Sequence, residues 1–117
     1  MMLELPYPPS VNSYYRTFRG RMLISAKGRA YRLEVIALLA NKYKGFHSGE
    51  RLSVKILLNV PDKRRRDLDN VFKCVLDSMQ HAGIYADDSQ IDELYIKRGE
   101  LIKGGKMTID VESIVNG

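Results

Sequence analysis

The chain of 117 residues has one cysteine, Cys74, so it can form no internal disulfide, which fits a reducing cytosol. No apolar run approaches the ~18 residues of a membrane span. The opening, Met1-Met2-Leu3-Glu4-Leu5-Pro6, lacks the basic start and apolar stretch of a signal peptide. A soluble protein of the cytoplasm is expected. The two histidines, His47 and His81, are isolated from each other and from Cys74, which argues against zinc. Each reads as a surface residue. There is no repeat, no low-complexity segment and no glycine-rich phosphate loop, and the last absence disfavours a small-molecule phosphohydrolase. Acid is missing from residues 14–32, which carry Arg16, Arg19, Arg21, Lys27, Arg29 and Arg32. Base is missing from residues 87–93, which carry Asp87, Asp88, Asp92 and Glu93. Charge is segregated rather than interspersed as on an inert surface.

The length is that of a single domain, residues 1–117, which buries roughly two thirds of its unfolded surface. Such a domain folds alone but has little room for an enclosed active site. A shallow site, or one completed by a partner subunit, is the expected design. The formal net charge of +5 favours an anionic partner.

Leu3 to Pro6 reads as a short strand, stopped where Pro6-Tyr7-Pro8-Pro9 removes N–H donors. Tyr14 to Ile24 reads as a hairpin or loop around Arg19-Gly20. Ser25 can cap a helix running to about Lys44 and ending at Gly45, with Gly28 weakening its first turn. That helix is apolar on more than one side: Leu33, Ala37 and Ala40 share one face, Val35 and Leu38 point the opposite way, and Ile36 and Leu39 lie between. It is either a central core helix or one packed between a sheet and a second subunit. Leu52 to Val60 reads as a largely buried strand ended by Pro61-Asp62. Asp67 to His81 reads as a helix with the stripe Leu68, Val71, Phe72, Val75, Leu76 and Met79, stopped by Gly83. Ile91 to Ile102 and Met107 to Val115 read as two strands joined in a hairpin at Lys103-Gly104-Gly105-Lys106. The sum is an α+β domain, a mixed sheet with two main helices.

Chemistry concentrates in Arg65-Arg66-Asp67-Leu68-Asp69-Asn70 and Lys73, behind Lys63 and Arg64, with Asp87-Asp88 about twenty positions later. Clustered acid beside strong base is costly unless a divalent cation uses one sign and phosphate the other. Two helical residues two apart point about 160° from each other, so Asp67 and Asp69 could not share a metal inside one helix. In extended backbone residues i and i+2 face the same way. If both are ligands, the helix begins at or after Asp69 and Asp67 lies on the incoming loop. The plainer alternative is that one aspartate caps the helix and the other is solvated. Asp87-Asp88, in itself an ordinary turn, is the natural source of a third carboxylate. Three carboxylates suit Mg²⁺ or Mn²⁺. Asp77 reads as a partner for Lys73 at i,i+4 or as solvated surface.

Carboxylate-held Mg²⁺ can serve phosphodiester hydrolysis. Asp67, Asp69 and Asp88 would then hold metal, and Asp87 would join them or tune them from behind. Lys73, on the face of Asp69, would orient water or offset charge on the leaving oxygen. Arg65 and Arg66 would clamp neighbouring phosphates. The basic segment would track DNA backbone, and Tyr14, Tyr15 and Phe18 within it would either stack on unpaired bases or pack against the sheet.

These residues resemble a known family. Arg64-Arg65-Arg66-Asp67-Leu68-Asp69-Asn70-x-x-Lys73 followed by Asp87-Asp88-x-Gln90 is similar to the RusA-type Holliday junction resolvases, found mostly in phages and prophages. Pro8-Pro9-Ser10-x-Asn12-x-Tyr14-Tyr15-Arg16, Ser25-Ala26-x-Gly28-x-Ala30-Tyr31-Arg32 and the Lys103-Gly104-Gly105 turn resemble the same family, so the likeness covers nearly the whole chain. It implies a homodimeric α+β endonuclease of DNA recombination and repair that needs Mg²⁺ or Mn²⁺ and resolves a four-way DNA junction by paired symmetric nicks. The family's catalytic acids fall on Asp67, Asp69 and Asp88, its catalytic lysine on Lys73, and further functional positions on Asn70, Asp87 and Arg66. Arg64, Arg65, Arg66, Asn70, Asn12, Arg16, Arg19, Arg21 and Lys27 are the expected DNA contacts. Ile84-Tyr85 stands where some relatives carry a large aromatic pair, and the loop before Leu52 differs. A two-fold dimer suits a two-fold junction, and glutamate at Leu38 or Leu39 is expected to break it. The rival readings are a non-catalytic DNA-binding or regulatory protein and a nuclease preferring other branched DNA.

Overall fold

The computed structural model describes residues 1–114, so Val115, the expected end of the last strand, lies outside them. The elements in chain order are β1 (Met2–Pro6), α1 (Val11–Tyr14), β2 (Tyr15–Phe18), β3 (Arg21–Ile24), α2 (Ala26–Leu39), β4 (Leu52–Asn59), α3 (Asp69–His81), a 3₁₀ turn (Asp88–Gln90), β5 (Ile91–Arg98) and β6 (Lys106–Ser113). Four strands form one sheet in the order β1-β6-β4-β5, and β2 and β3 form a separate hairpin. β4 and β5 run parallel while the other pairs are antiparallel, so the sheet is mixed.

Strand alternation places one set of side chains under the helices. Leu5, Met107 and Leu58 form one rung across β1, β6 and β4, and Leu3, Ile109 and Ile56 the next. Val111 and Val54 form a third, and all these residues are buried. From α3, Val71, Cys74, Val75, Leu76 and Met79 close onto this surface, as the period of the sequence predicts, while Leu68 and Phe72 are half-buried. The opposite face of the sheet carries Met2, Lys55, Leu57 and Tyr95 and is open.

Ser25 caps α2 as expected, its Oγ accepting from the Gly28 N–H at 2.9 Å. The same hydroxyl donates to the carbonyls of Ser13 and Tyr14, which ties the end of α1 to the start of α2. Gly28 does more than weaken the first turn. A Cβ there would stand 2.4 Å from the Tyr14 carbonyl oxygen and 2.8 Å from Ile24 Cγ1, so only glycine lets the helix approach. The helix stops at Leu39, five residues short of Lys44, where Ala40 swings to a ψ of 124° and Asn41 follows with a left-handed φ of 59°. Tyr31, Val35 and Leu39 are its buried stripe. Leu33 is 64% exposed and Leu38 40%, so the central-core reading does not hold: the second apolar side faces outward. Leu39, at 5% exposure, belongs to the core, and a charge there would unfold the chain before it separated subunits.

The expected β5–β6 hairpin is also corrected. β4 lies between these strands, and β5 ends at Arg98 rather than Ile102. The 99–105 segment crosses the end of β4, donating from Gly99 N–H to Leu58 O and from Ile102 N–H to Val60 O. Lys103-Gly104 still forms a tight turn, closed by Gly105 N–H to Ile102 O at 2.7 Å, but the turn redirects the chain instead of pairing neighbours.

Gly28→Ala is expected to destabilise the fold by about 1–3 kcal/mol, the usual cost of overpacking against atoms that cannot yield. A urea unfolding midpoint equal to that of the parent would contradict the close approach to Tyr14.

Candidate active site

α3 begins at Asp69, and Asp67 lies on the incoming loop, the arrangement a shared ligand role requires. The helix cap is Leu68, which offers no side-chain hydrogen bond, so neither aspartate is used as a cap. Asp67 and Asp69 are exposed and form no ion pair among the described residues. Asn70 N–H donates to the Asp67 carbonyl at 3.2 Å and fixes the corner. An open cleft of about 530 Å³ joins Asp67, Asn70, Arg65 and Arg66 to Tyr7, Pro8, Ser10 and Asn12. The fold thus brings the N-terminal Pro-Pro-Ser-x-Asn stretch to the edge of the Asp67 corner, which only the resemblance had linked.

Lys73 stands one turn along α3 from Asp69. Its ammonium lies 5.6 Å from the centre of the Tyr15 ring and has no acidic partner among the described residues. Asp88 approaches the same helix from the β5 side, its backbone N–H donating to Gln80 Oε1 at 2.9 Å. Partial loss of solvent, then the charge and hydrogen bond of Asp87 and the charge of Asp77, push the Asp88 carboxyl up, while Lys73 opposes them. Asp87 caps the 3₁₀ turn, accepting from Ser89 N–H at 2.8 Å, which holds its own carboxyl down. Gln90, 3% exposed, explains the fourth residue of the acidic motif. Its oxygen accepts from the Ala86 and Asp87 N–H groups, and its amide donates to the His47 and Glu50 carbonyls.

Asp77 is not the partner of Lys73. It accepts from the Tyr14 hydroxyl and from Arg32 Nη2 at 2.7 Å, and stands 3.6 Å from His81 Nε2. Nothing in the local sequence shows this, because its partners lie 63 and 45 residues away.

The basic residues divide into engaged and free. Arg66 donates to Asp62 at 2.6 and 3.1 Å and stacks near Tyr7, and Arg64 donates to the same carboxylate at 3.2 and 3.3 Å. Hydrogen bonds from Arg66 and Arg64 hold the Asp62 carboxyl well below the usual carboxylate range. Asp62 reads in sequence as a strand terminator and proves to be the clip that folds the 62–66 loop. Arg98, whose guanidinium donates to the Arg66 carbonyl at 2.6 Å, holds that loop from the other side. Arg65, Arg16, Arg19, Arg21 and Lys27 are exposed and have no acidic partner among the described residues. Asn12 is exposed at the cleft rim.

The donor chemistry fits a hard divalent cation: unpaired exposed carboxylates at Asp67 and Asp69, and a third at Asp88 under like-charge pressure that a cation would relieve. The set is not assembled in advance. Among the described residues, no three His, Cys, Asp or Glu side chains stand together as a ready-made metal site. Cys74 is buried with its thiol pushed up by that burial, so it offers no thiolate. No helix among the described residues is long and apolar enough to cross a membrane.

Residues 6–112 match the family described as "Endodeoxyribonuclease RusA". A protein named "Crossover junction endodeoxyribonuclease rusA" from Enterobacteria phage HK97 is 41% identical over 110 residues, covering 94% of this chain and 92% of its own length. "Crossover junction endodeoxyribonuclease RusA" proteins from Shigella sonnei and Escherichia coli K12 are 37% and 36% identical over 114 residues, each covering 97% of this chain and 95% of the relative.

Burial and the Asp77 contact push Tyr14 up to about 12, and burial also raises Tyr31 and Tyr85. These groups keep their protons in the folded state when the unfolded chain, near its ordinary value of about 10, has lost them. Their contribution is complete below pH of about 10 and declines as the pH rises through about 12. Stability measured by urea unfolding is expected to fall across that window, and Tyr14→Phe to fall less steeply. Parallel slopes for the two proteins would contradict the assignment.

Proposed function

The chain belongs to the RusA endodeoxyribonuclease family, and from that membership we propose that it is a crossover junction endodeoxyribonuclease, a metal-dependent enzyme that cuts four-way DNA junctions with paired symmetric nicks. One observation carries the reading beyond the family name. Two free aspartates flank the start of α3, with Lys73 one turn on and unpaired Arg65 beside them on the rim of a cleft. A regulatory DNA-binding protein has no need to keep two exposed carboxylates beside the phosphates it binds.

Asp67, Asp69 and Asp88 would hold Mg²⁺, with Mn²⁺ able to substitute, and Asp87 keeps Asp88 in place by capping its turn. The ion, when bound, would neutralise charge on the reacting phosphodiester and activate water. Lys73 places a positive charge on the face of Asp69, where it stabilises a departing oxygen or orients water. Arg65, Asn70 and Asn12 line the cleft and suit the phosphates flanking the scissile one. Arg64 and Arg66 serve first to shape the loop through Asp62, so the expected phosphate clamp rests mainly on Arg65. DNA in the cytoplasm is the expected substrate. Homodimerisation would pair two such sites at a fixed separation matching the two-fold junction. Leu33 and Leu38, both exposed but on different sides of α2, are the proposed contacts.

Cleavage of a labelled four-way junction against a linear duplex of the same sequence tests the activity. Paired nicks in the junction with Mg²⁺ are expected, lost with EDTA and in Asp69→Asn while binding persists. Binding without cleavage in either Mg²⁺ or Mn²⁺ would leave a non-catalytic junction-binding protein.

Magnesium is also expected to raise the melting temperature of the parent protein and not of Asp69→Asn, since a ligand of the folded state stabilises it. Equal shifts would move the ion elsewhere.

Leu38→Glu is expected to give monomers in sedimentation, whereas a dimer that survives it but not Tyr95→Glu would move the interface to the open face of the sheet.

A further inference from the structure

The β2–β3 hairpin stands outside the four-stranded sheet, and Arg16 to Met22 are all exposed. Its two-residue turn, Arg19 and Gly20, has φ of 51° and 75°, the left-handed pair that matches strand twist. Phe18 pairs with Arg21 immediately before that turn. Of the three phenylalanines, Phe46 and Phe72 pack against the core, but Phe18 does not and is 48% exposed. The guanidinium carbons of Arg16 and Arg19 lie 5.6 and 5.2 Å from its ring centre. Arg16, Phe18 and Arg21 share one face of the hairpin, and the sequence has no acidic residue between Glu4 and Glu34.

The base of the hairpin touches the candidate active site. Tyr15 sits under the Lys73 ammonium, and its neighbour Tyr14 is held by Asp77 of α3. Phe18 lies three residues further out, about 10 Å along the strand, or roughly three base steps. An exposed aromatic ring ringed by unpaired arginines is matched to one kind of surface: bases flanked by phosphates. Apolar wedges between base steps and stacking of unpaired bases on aromatic rings are the established uses of such a side chain.

We propose that Phe18 is a base-stacking wedge that enters the bases laid open at the branch point of a DNA junction, while Arg16, Arg19 and Arg21 engage the phosphates on either side. The proposal rests on the reading of the chain as a nuclease of branched DNA and adds the residue that senses the branch. In the free protein Arg16 and Arg19 stand beside the half-exposed ring. On DNA they turn to phosphate and leave the ring free to stack.

The test uses a junction carrying 2-aminopurine at the branch point, in EDTA so that nothing is cut, with binding followed separately by anisotropy of an end label. The parent protein is expected to raise 2-aminopurine fluorescence at saturation. Phe18→Ala is expected to lose that rise and to bind about 5- to 150-fold more weakly, the range for loss of one stacked base. Phe18→Trp is expected to restore both, which a change in hairpin folding alone would not do. A parent protein that binds and, with Mg²⁺, cuts the junction without the rise would overturn the wedge and leave the nuclease reading standing. So would a Phe18→Ala protein that keeps both the rise and the affinity. A parent protein that neither binds nor cuts junctions would overturn both.

Discussion

One carboxylate joins the parts on which the site depends. Asp77 of α3 receives the hydroxyl of Tyr14 at the end of α1 and the guanidinium of Arg32 from α2. Tyr14 is fully buried, and the Arg32 side chain is 23% exposed, so both donors have surrendered much of their water and need this acceptor. The consequence reaches past stability. The hairpin leaves directly from Tyr14, and Tyr15, edge to face with it, carries the Lys73 ammonium above its ring. Asp77 is therefore linked, through two tyrosines, to the place where the free lysine's ammonium rests one turn from Asp69. It also contributes to the like-charge field that raises Asp88. A residue with no contact to a phosphate thus governs both the mechanical frame and part of the electrostatics of the face that would meet one.

Local constraints were readable from the chain and long-range ones were not. The 100° step of a helix required Asp67 to lie outside α3 if it was to act with Asp69, and it does. The Arg19-Gly20 turn, the Ser25 cap and the stripe of α3 follow from nearest neighbours in the same way. The order of strands does not. Lys103-Gly104-Gly105-Lys106 is a good turn between two strand-like runs, and a hairpin was the natural reading. What decides against it is the pairing of β4 with both β5 and β6, contacts spanning roughly forty to sixty residues that no local pattern encodes. Nor does the local pattern show the end of α2, where Ala40 and Asn41 leave the helix within a stretch that could have stayed helical. For Asp77 the sequence offers only Lys73 at i,i+4 or solvent, while Arg32 and Tyr14 become its neighbours once α1 and α2 dock.

Charge counts mislead in a similar way. Lys63 to Arg66 reads as one basic block ready for phosphate. Folding turns Arg66 onto Asp62 and converts it into loop scaffolding, while Arg64 pairs with the same carboxylate from the exposed side. Arg98 completes that scaffold from β5 through the Arg66 carbonyl. The free positive charge that remains is distributed differently: Arg65 at the cleft, and Arg16, Arg19 and Arg21 on a hairpin that projects from the body. The residues flanking Asp67 thus combine one arginine held in the loop, Arg66, with outward Arg64 and Arg65, and the hairpin adds a second field of unpaired arginines.

This division bears on why the carboxylates stand apart. A domain of this size has little room for an enclosed site, and three uncompensated aspartates held together in the free protein would repel one another. Leaving Asp67 and Asp69 solvated at one end of the helix, with Asp88 on a separate capped turn tied to Gln80, avoids that cost until positive charge arrives. Arriving with the ion, DNA would supply further ligand oxygens and exclude water from an otherwise open cleft, strengthening each charge interaction within it. The hairpin arginines act over a longer range than the carboxylates, since they project into solvent and face no acidic neighbour. They can therefore draw a polyanion toward a site whose own carboxylates repel it. On this argument the clustering of acid and base in the sequence would be a division of labour, with base to draw in the backbone and acid held ready for a cation.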